Sequence, residues 1–494
     1  MSQANRVGVI DIGSNTVRLV IFETWRASIL PRFNEKVMAG LGRGLAVTGK
    51  LSPEGRGSAL KALRRYRAIL DGLGVSQVRA VATAAPRVAA DGPDFVAEAS
   101  AAIGVPVTVL SGVDEGRISA MGVKAGIDRP KGIVADLGGS SLELFPLRFS
   151  EEFQGETHML GPLAIDEYLH RPERDIRKHV RGVLRTSDLV GTAPETLYAV
   201  GGAWRAMAKV DMYRRDYPLR VLHNYQMHPD AVSETTAHIF AARKSEPTLE
   251  SLRQTIAGRR GPKLPLSAVV LDEVVKLSGA KQVVISSMGL REGIVREMVA
   301  DEEADTLYDG AVAFLQLNAH QVAFSKTLYA FLSHIFEIEP VCFGSRRRDT
   351  RLYRTACLMA DAAGRYHPDH RAEMAYDQAL RAPYAGVDHA ERAFIALAAG
   401  TRYRRRFSMP KDDRPLLDDL QRKRARQLGL FLRLGAMFSG RSSTILERAS
   451  LGRIDDKLTL IVDRKDTDMV SETVVERHLQ AAKEIGLVAE TVFR

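Results

Sequence analysis

One short pattern occurs twice in the chain. VIDIGSNTVRLVIF runs from Val9 to Phe22, and VADLGGSSLELFPL runs from Val134 to Leu147. Each is an apolar run ending on an aspartate (Asp11, Asp136), a turn of glycine and hydroxyl residues, and a second apolar run. That composition predicts strand, tight turn, strand. The two copies match at Val, Asp, Gly, Ser and Leu positions, so this is a repeated supersecondary unit rather than a solenoid period. Two similar domains facing each other are the natural expectation.

The surrounding sequence predicts layers of strand and helix. Leu51–Gly74 reads as a helix started by Ser52-Pro53 and ended by glycines. Gln77–Ala85 and Val105–Gly112 read as strands, and Asp91–Gly104 as a helix closed by Gly104. DEGRISAMGVKAG opens another helix. Further glycine turns follow strands in LYAVGGAWRAMAKV (Leu197–Val210) and QVVISSMGLREGIVREMV (Gln282–Val299). This alternation predicts an α/β fold. From about Ala304 the strand signals fade and long helical segments follow. Near the C-terminus the order strand, strand, helix, strand predicts a small α/β segment. The expected domains are 1–125, 126–303, 304–440 and 441–494.

At 494 residues, with 45% apolar and 26% charged side chains, the chain has the composition of a water-soluble, multidomain protein. It has two cysteines, Cys342 and Cys357, no long apolar leader and no run of about 18 apolar residues. A cytoplasmic protein without a membrane span is expected. The formal charge of +10 calls for an anionic partner. Basic clusters recur at Arg171–Arg185, Gly258–Lys263, Ser345–Arg351, Arg402–Phe407 and Arg422–Gln427. Any one of them can be a solvated helix face; together they suggest a shared polyanion surface.

A glycine turn between strands exposes successive backbone N–H groups that can wrap an anion, and Ser14, Asn15 and Thr16 add donors. A carboxylate beside such donors repels phosphate unless a cation lies between. Asp11 and Asp136 therefore suggest Mg²⁺, which takes a few carboxylate oxygens, waters and substrate phosphate. In SGVDEGR, Asp114 and Glu115 sit at a helix start. There they can face a cleft or simply complement the helix N-terminus.

The repeated hairpin resembles the two phosphate motifs of the actin–hexokinase–Hsp70 ATPase superfamily, and AVGGAWRAMA resembles its later Gly-Gly motif. Within it, the chain is most similar to the exopolyphosphatase/guanosine pentaphosphate phosphohydrolase (Ppx/GppA) family. The residues that carry this are VIDIGSNTVRLVI, VATAAPR, LSGVDEGRISAMGV, DLGGSSLEL, YAVGGAWRAMA and SSMGLREGIV, in the family's order over about 300 residues. The resemblance implies two ribonuclease H-like (actin-like ATPase) domains facing a cleft, then an all-helical HD-like domain and the small α/β C-terminal segment.

It also implies site roles. Glu115 is the general base on the attacking water. Asp136 is the first metal ligand, with Asp11 acting directly or through water. Glu143 assists metal or water, and Arg87 clamps the transferred phosphoryl group. Gly13, Ser14, Asn15, Thr16, Gly138, Gly139, Ser140, Ser141 and Arg291 hold phosphates. The implied cofactor is Mg²⁺, with a monovalent cation such as K⁺ as a further candidate. Two departures stand out: Ser140 replaces a usual third glycine, and Pro86 precedes Arg87 where the family has no proline. In the helical segment, Ala360 precedes Asp361, so the His-Asp pair of HD-type chemistry is absent; His367, His370 and His389 lie nearby.

The leading expectation is an exopolyphosphatase, a phosphoric anhydride hydrolase that removes terminal phosphate processively from inorganic polyphosphate and acts as a homodimer. The alternative is hydrolysis of guanosine pentaphosphate to the tetraphosphate, or both activities. A sugar kinase of the same superfamily fits SGVDEGR less well. A non-enzymatic polyanion-binding protein would have no need of Asp11, Glu115 and Asp136. Aromatic content of 6% gives no single-strand nucleic-acid signature, and no specific nucleic acid is expected as partner.

Overall fold

The computed structural model describes residues 5–147, 154–243, 261–299 and 305–494. These fall into two compact units that meet in sequence at 304/305. The boundary expected at 303/304 and residues 258–260 of one basic cluster lie outside the described residues.

The first unit is built on two sheets. Strands β1 (Asn5–Ile12), β2 (Val17–Trp25) and β3 (Ser28–Val37) form an antiparallel meander. Helices α1 (Leu45–Thr48) and α2 (Pro53–Gly72) lead to β4 (Gln77–Ala82), which pairs parallel to β1. After α3 (Ala84–Val88) and α4 (Gly92–Ile103), β5 (Val107–Val109) completes a sheet of order β3-β2-β1-β4-β5. Helix α5 (Gly112–Gly126) crosses to the second sheet.

There, β6 (Ile133–Leu137), β7 (Leu142–Pro146) and β8 (Glu156–His158) repeat the antiparallel meander. Helix α6 (Glu173–Leu184) precedes β9 (Thr196–Val200), which pairs parallel to β6. Then follow α7 (Gly202–Arg214), β10 (Tyr225–Met227), α8 (Pro229–Ala242), α9 (Leu264–Ser278), β11 (Gln282–Ile285) and α10 (Leu290–Met298). The order is β10-β11-β9-β6-β7-β8. Thus the repeat visible in two hairpins extends to the strand order of both sheets, with β10 added at one edge.

Two local expectations change. The strand expected to reach Ala85 stops at Ala82, and residues 84–88 turn into a short helix. Pro86 sits in its first turn, where an N–H would have no helical partner, so proline costs little. The sequence reading passed from the opening hairpin to α2 and missed β3. Its polar, half-exposed alternation, SILPRFNEKV, is that of an edge strand.

Helices α5 and α10 join the halves. Ile118 and Ala125 of α5, with Leu290, Ile294 and Val295 of α10, share a core with Val7, Val9, Val20 and Phe22 of the first sheet. Ala120 and Val123, on another side of α5, pack against Val134, Tyr198 and Val200 of the second. The helix contact is close: a Cβ on Gly293 would lie 1.9 Å from the Ile118 carbonyl oxygen, and one on Gly122 would lie 2.0 Å from that of Gly289.

The second unit is mainly helical: α11 (Thr306–Leu315), α12 (Ala319–Glu337), α13 (Arg346–Met359), α14 (Arg371–Arg381), α15 (His389–Tyr403), α16 (Asp419–Ser439) and α17 (Ser443–Leu446). It ends with β12 (Ala449–Ile454), β13 (Lys457–Val462), α18 (Glu472–Glu484) and β14 (Val488–Phe493) in one three-stranded sheet. Phe394, Ala396 and Leu397 of α15 are almost wholly buried, as are Phe431 and Leu432 of α16. Among the described residues no helix is long and apolar enough to cross a membrane.

Gly293→Ala should destabilise the protein by about 1–3 kcal/mol, because the backbone it would strike cannot move aside cheaply. Gly57→Ala, on α2 with open space around it, should stabilise by about 0.5–1 kcal/mol. Denaturant unfolding of both variants checks the pair.

Candidate active site

The two glycine turns lie against one another. The Ser140 hydroxyl donates to the Ser14 hydroxyl at 3.1 Å. Each turn is shaped the same way: the Gly13 N–H closes on the Thr16 carbonyl and the Gly138 N–H on the Ser141 carbonyl, both at 2.9 Å. Those two amides, expected to face phosphate, hold the turns instead. Flanking segments also repeat. Gly40 and Gly42 donate to the Asn15 and Ser14 carbonyls, and Gly161 and Leu163 donate to the Ser140 and Gly139 carbonyls. Carbonyl oxygens, which would repel an anion, are thereby occupied by neighbouring backbone.

Between the turns is a cavity of about 590 Å³. Of the predicted residues, Asp11, Gly13, Ser14, Asn15, Thr16, Glu115, Asp136, Gly138, Gly139, Ser141 and Arg291 line it. Arg87, Glu143 and Ser140 stand behind this lining. The register explains part of this: Asp11 lies opposite Arg18 on β2, and Asp136 opposite Glu143 on β7. Arg291 at the start of α10 donates to the Asp11 carboxylate at 2.9 Å. The Ser119 hydroxyl of α5 donates to Asp136.

Glu115 sits in the first turn of α5, which is capped by Ser111 accepting from the Asp114 N–H. Its side chain is buried and accepts from Arg87 at 3.4 Å, while the same guanidinium nitrogen donates to the Leu110 carbonyl at 2.7 Å. Arg87 therefore holds Glu115 rather than reaching into the cavity. Asp114, one residue earlier, is half exposed and accepts from Ser111. Burial, then the nearby Asp136 and Asp11 charges, push the Glu115 carboxyl up to about 8 against the pull of Arg87. Burial also raises Asp136, with Ser119, Arg205 and Arg291 opposing. Glu143 is raised well above the ordinary carboxylate range, by burial first and by Glu115 second. Neither Glu143 oxygen closes a hydrogen bond of normal geometry, although nearby Ser141 favours its ionised form.

These carboxylates crowd one another, and their neighbours' charges raise the proton affinity of Glu115 and Glu143. Among the described residues no three His, Cys, Asp or Glu side chains cage a metal by themselves. Mg²⁺ does not need such a cage: it uses one or two carboxylates plus water and phosphate. Asp11 and Asp136, facing one cavity, fit that donor set.

The cavity also holds residues the sequence reading did not single out. Arg18, Lys36, Arg43, Arg205 and Lys263 line it with Arg291. Arg205 donates to the Ser287 carbonyl at 3.0 Å. Its signal was available: it is the first basic residue after the Gly201-Gly202 turn. Arg18 is likewise on the cavity side of β2, in register with Asp11.

Some members of the basic clusters are tied to carboxylates, while Arg171, Arg174, Lys178 and Arg185 of the first run and Arg405 and Arg406 of another are exposed. Arg177 pairs with Asp272 and Glu273 at 2.6 Å, and Arg181 also reaches Glu273. Arg348 pairs with Asp388 and Glu391, Arg351 with Asp305, Arg404 with Glu373, and Arg424 with Glu339. Arg177, Arg351 and Arg424, the most buried of these, serve the fold rather than the expected polyanion surface.

Residues 20–302 match the Ppx/GppA phosphatase family model, and residues 313–492 match the model described as exopolyphosphatase, C-terminal. The fold is similar to that of a PPX-GPPA enzyme of Aquifex aeolicus (21% identity, 59% of this chain and 99% of that one, TM-score 0.51). It is also similar to an exopolyphosphatase from Cytophaga hutchinsonii (22% identity, 60% and 98%, TM-score 0.52).

Glu115 and Glu143 bind protons more tightly folded than unfolded. Their contribution to stability is complete below the ordinary glutamate pKa of about 4.3. It is lost as pH rises through the folded values, about 8 for Glu115. Metal-free protein should therefore lose Tm between about pH 5 and 8. Glu143→Gln should raise Tm at pH 8 by about 2 °C or more and flatten that slope. Thermal unfolding over a pH series reads both effects.

Proposed function

Because the chain belongs to the Ppx/GppA phosphatase family, we propose that it is an exopolyphosphatase that removes terminal phosphate from inorganic polyphosphate. The observation that carries this reading is one cavity in which cationic side chains flank the half-buried carboxylates of both glycine turns. A polyphosphate end is a dense, flexible anion with no shape beyond its charge, and this lining suits it.

Asp11 and Asp136 would hold Mg²⁺, which neutralises phosphate charge when bound. The chain's own residues do the rest. Arg18, Arg205 and Arg291 orient phosphate oxygens beside the turns. Glu115, once ionised, accepts the proton of the attacking water; its raised pKa makes it a stronger base than an exposed glutamate. Arg87 fixes its position. Arg291, bonded to Asp11, links the metal side of the cavity to the phosphate side.

Guanosine pentaphosphate is the second reading. Met38, Leu45, Leu163 and Leu264 add apolar lining to the same cavity, a surface on which a purine can lie.

Phosphate release from long polyphosphate and from guanosine pentaphosphate, with and without Mg²⁺, decides between them. Mg²⁺-dependent release with polyphosphate strongly preferred is expected; preference for the nucleotide overturns the first reading. Glu115→Gln should lower turnover by about 10²- to 10⁴-fold while polyphosphate binding is retained. Asp114→Asn should change turnover little. Asp136→Asn should abolish activity at low Mg²⁺ and weaken metal binding measured by calorimetry.

A further inference from the structure

We infer that the cleft has a second phosphate site, a side chamber that takes the orthophosphate released by hydrolysis. This rests on the phosphohydrolase reading above. The chamber, about 400 Å³, lies between β2 and β3 on one side and α7 on the other. It shares Arg18, Lys36, Arg205, Ser287 and Arg291 with the main cavity, so the two spaces adjoin.

Its electrostatics differ from those of the main cavity. Asp11, Glu115, Asp136 and Asp166 all line the main space. The chamber has one carboxylate, Glu292, against the basic side chains Arg18, Lys36, Arg205, Lys209 and Arg291. Glu292 is already engaged: its Oε2 accepts from the Gly289 N–H at 2.9 Å, at the N-terminus of α10. A small oxyanion leaving the main cavity thus meets a neighbouring space that keeps four of its cations, adds Lys209 and has a single carboxylate.

Arg291 lies at the junction. Its Nη1 is bonded to Asp11, while its Nε is buried and has no hydrogen-bond partner. A buried guanidinium with an unused donor is costly unless an acceptor visits it, and phosphate oxygens are suitable acceptors. At the other end the chamber reaches solvent: Asn34, Lys36 and Lys209 are exposed.

A separate product site also answers a problem set by a polymeric substrate. After each cleavage the shortened chain still fills the entrance of the main cavity. Orthophosphate that had to leave by that entrance would wait for the chain to dissociate. A cationic chamber beside the cut lets the product leave while the chain stays.

Lys209 lines the chamber alone and is exposed on α7, so its variants should fold. The test uses the full chain, with inorganic phosphate as the probe. Lys209→Glu should raise the inhibition constant for orthophosphate at least about fivefold with KM for long polyphosphate unchanged. Calorimetric titration with phosphate in the absence of substrate should show two sites in the parent protein and one in the variant. That arm needs no turnover, so it reads the chamber even if the substrate assignment fails. Unchanged phosphate stoichiometry and inhibition overturn the proposal. So does a raised KM for long polyphosphate with phosphate inhibition unchanged, because that would assign the chamber to the substrate chain.

Discussion

Glu115 and Glu143 are buried carboxylates within one small region, with half-buried Asp136 and Asp11 beside them at the cavity wall. Charges of one sign in a low-dielectric space repel, and each is deprived of hydration. The protein supplies Arg87 to Glu115, Arg291 to Asp11 and a serine hydroxyl to Asp136. Glu143 has no comparable partner. This arrangement raises the proton affinity of Glu115. A cation among these carboxylates would relieve their mutual repulsion.

The repeat makes the site and then breaks its own symmetry. Both sheets use the order antiparallel meander, then parallel strands, and both place an aspartate at the end of the first strand. The residue facing that aspartate is Arg18 in one copy and Glu143 in the other. The position facing the aspartate is therefore a cation at the cavity in one half and a buried acid behind the lining in the other. Helices α5 and α10 hold the halves at a fixed separation, and glycine at their crossing allows the backbones to touch. Glu115, the Ser119 donor to Asp136 and Arg291 all come from these two helices, so the helices that join the halves also position these cavity groups.

Charge counted along the chain was a poor guide to charge presented in space. Runs such as Arg171–Arg185 and Ser345–Arg351 look like polyanion surfaces, yet Arg177, Arg348 and Arg351 are held by buried or half-buried carboxylates far away in sequence. The cations that line the cavity are isolated arginines and lysines scattered from Arg18 to Arg291. A partner nearly one hundred residues away, as Asp272 and Glu273 are from Arg177, leaves no local pattern.

The sequence by itself determined the two hairpins, the aspartates that end their first strands and the helix start that carries Glu115. Each depends on local rules of alternation, turn chemistry and capping, and each is encoded within about ten residues. It did not determine β3, whose edge-strand alternation is too polar to read as core. Nor did it show that Arg87 would bond Glu115 or that Glu143 would be buried without a partner. Those outcomes required the close crossing of α5 and α10 and the pairing of distant strands. Burial and cross-sheet register set a side chain's charge and neighbours, and both are properties of the packed fold rather than of any stretch of chain.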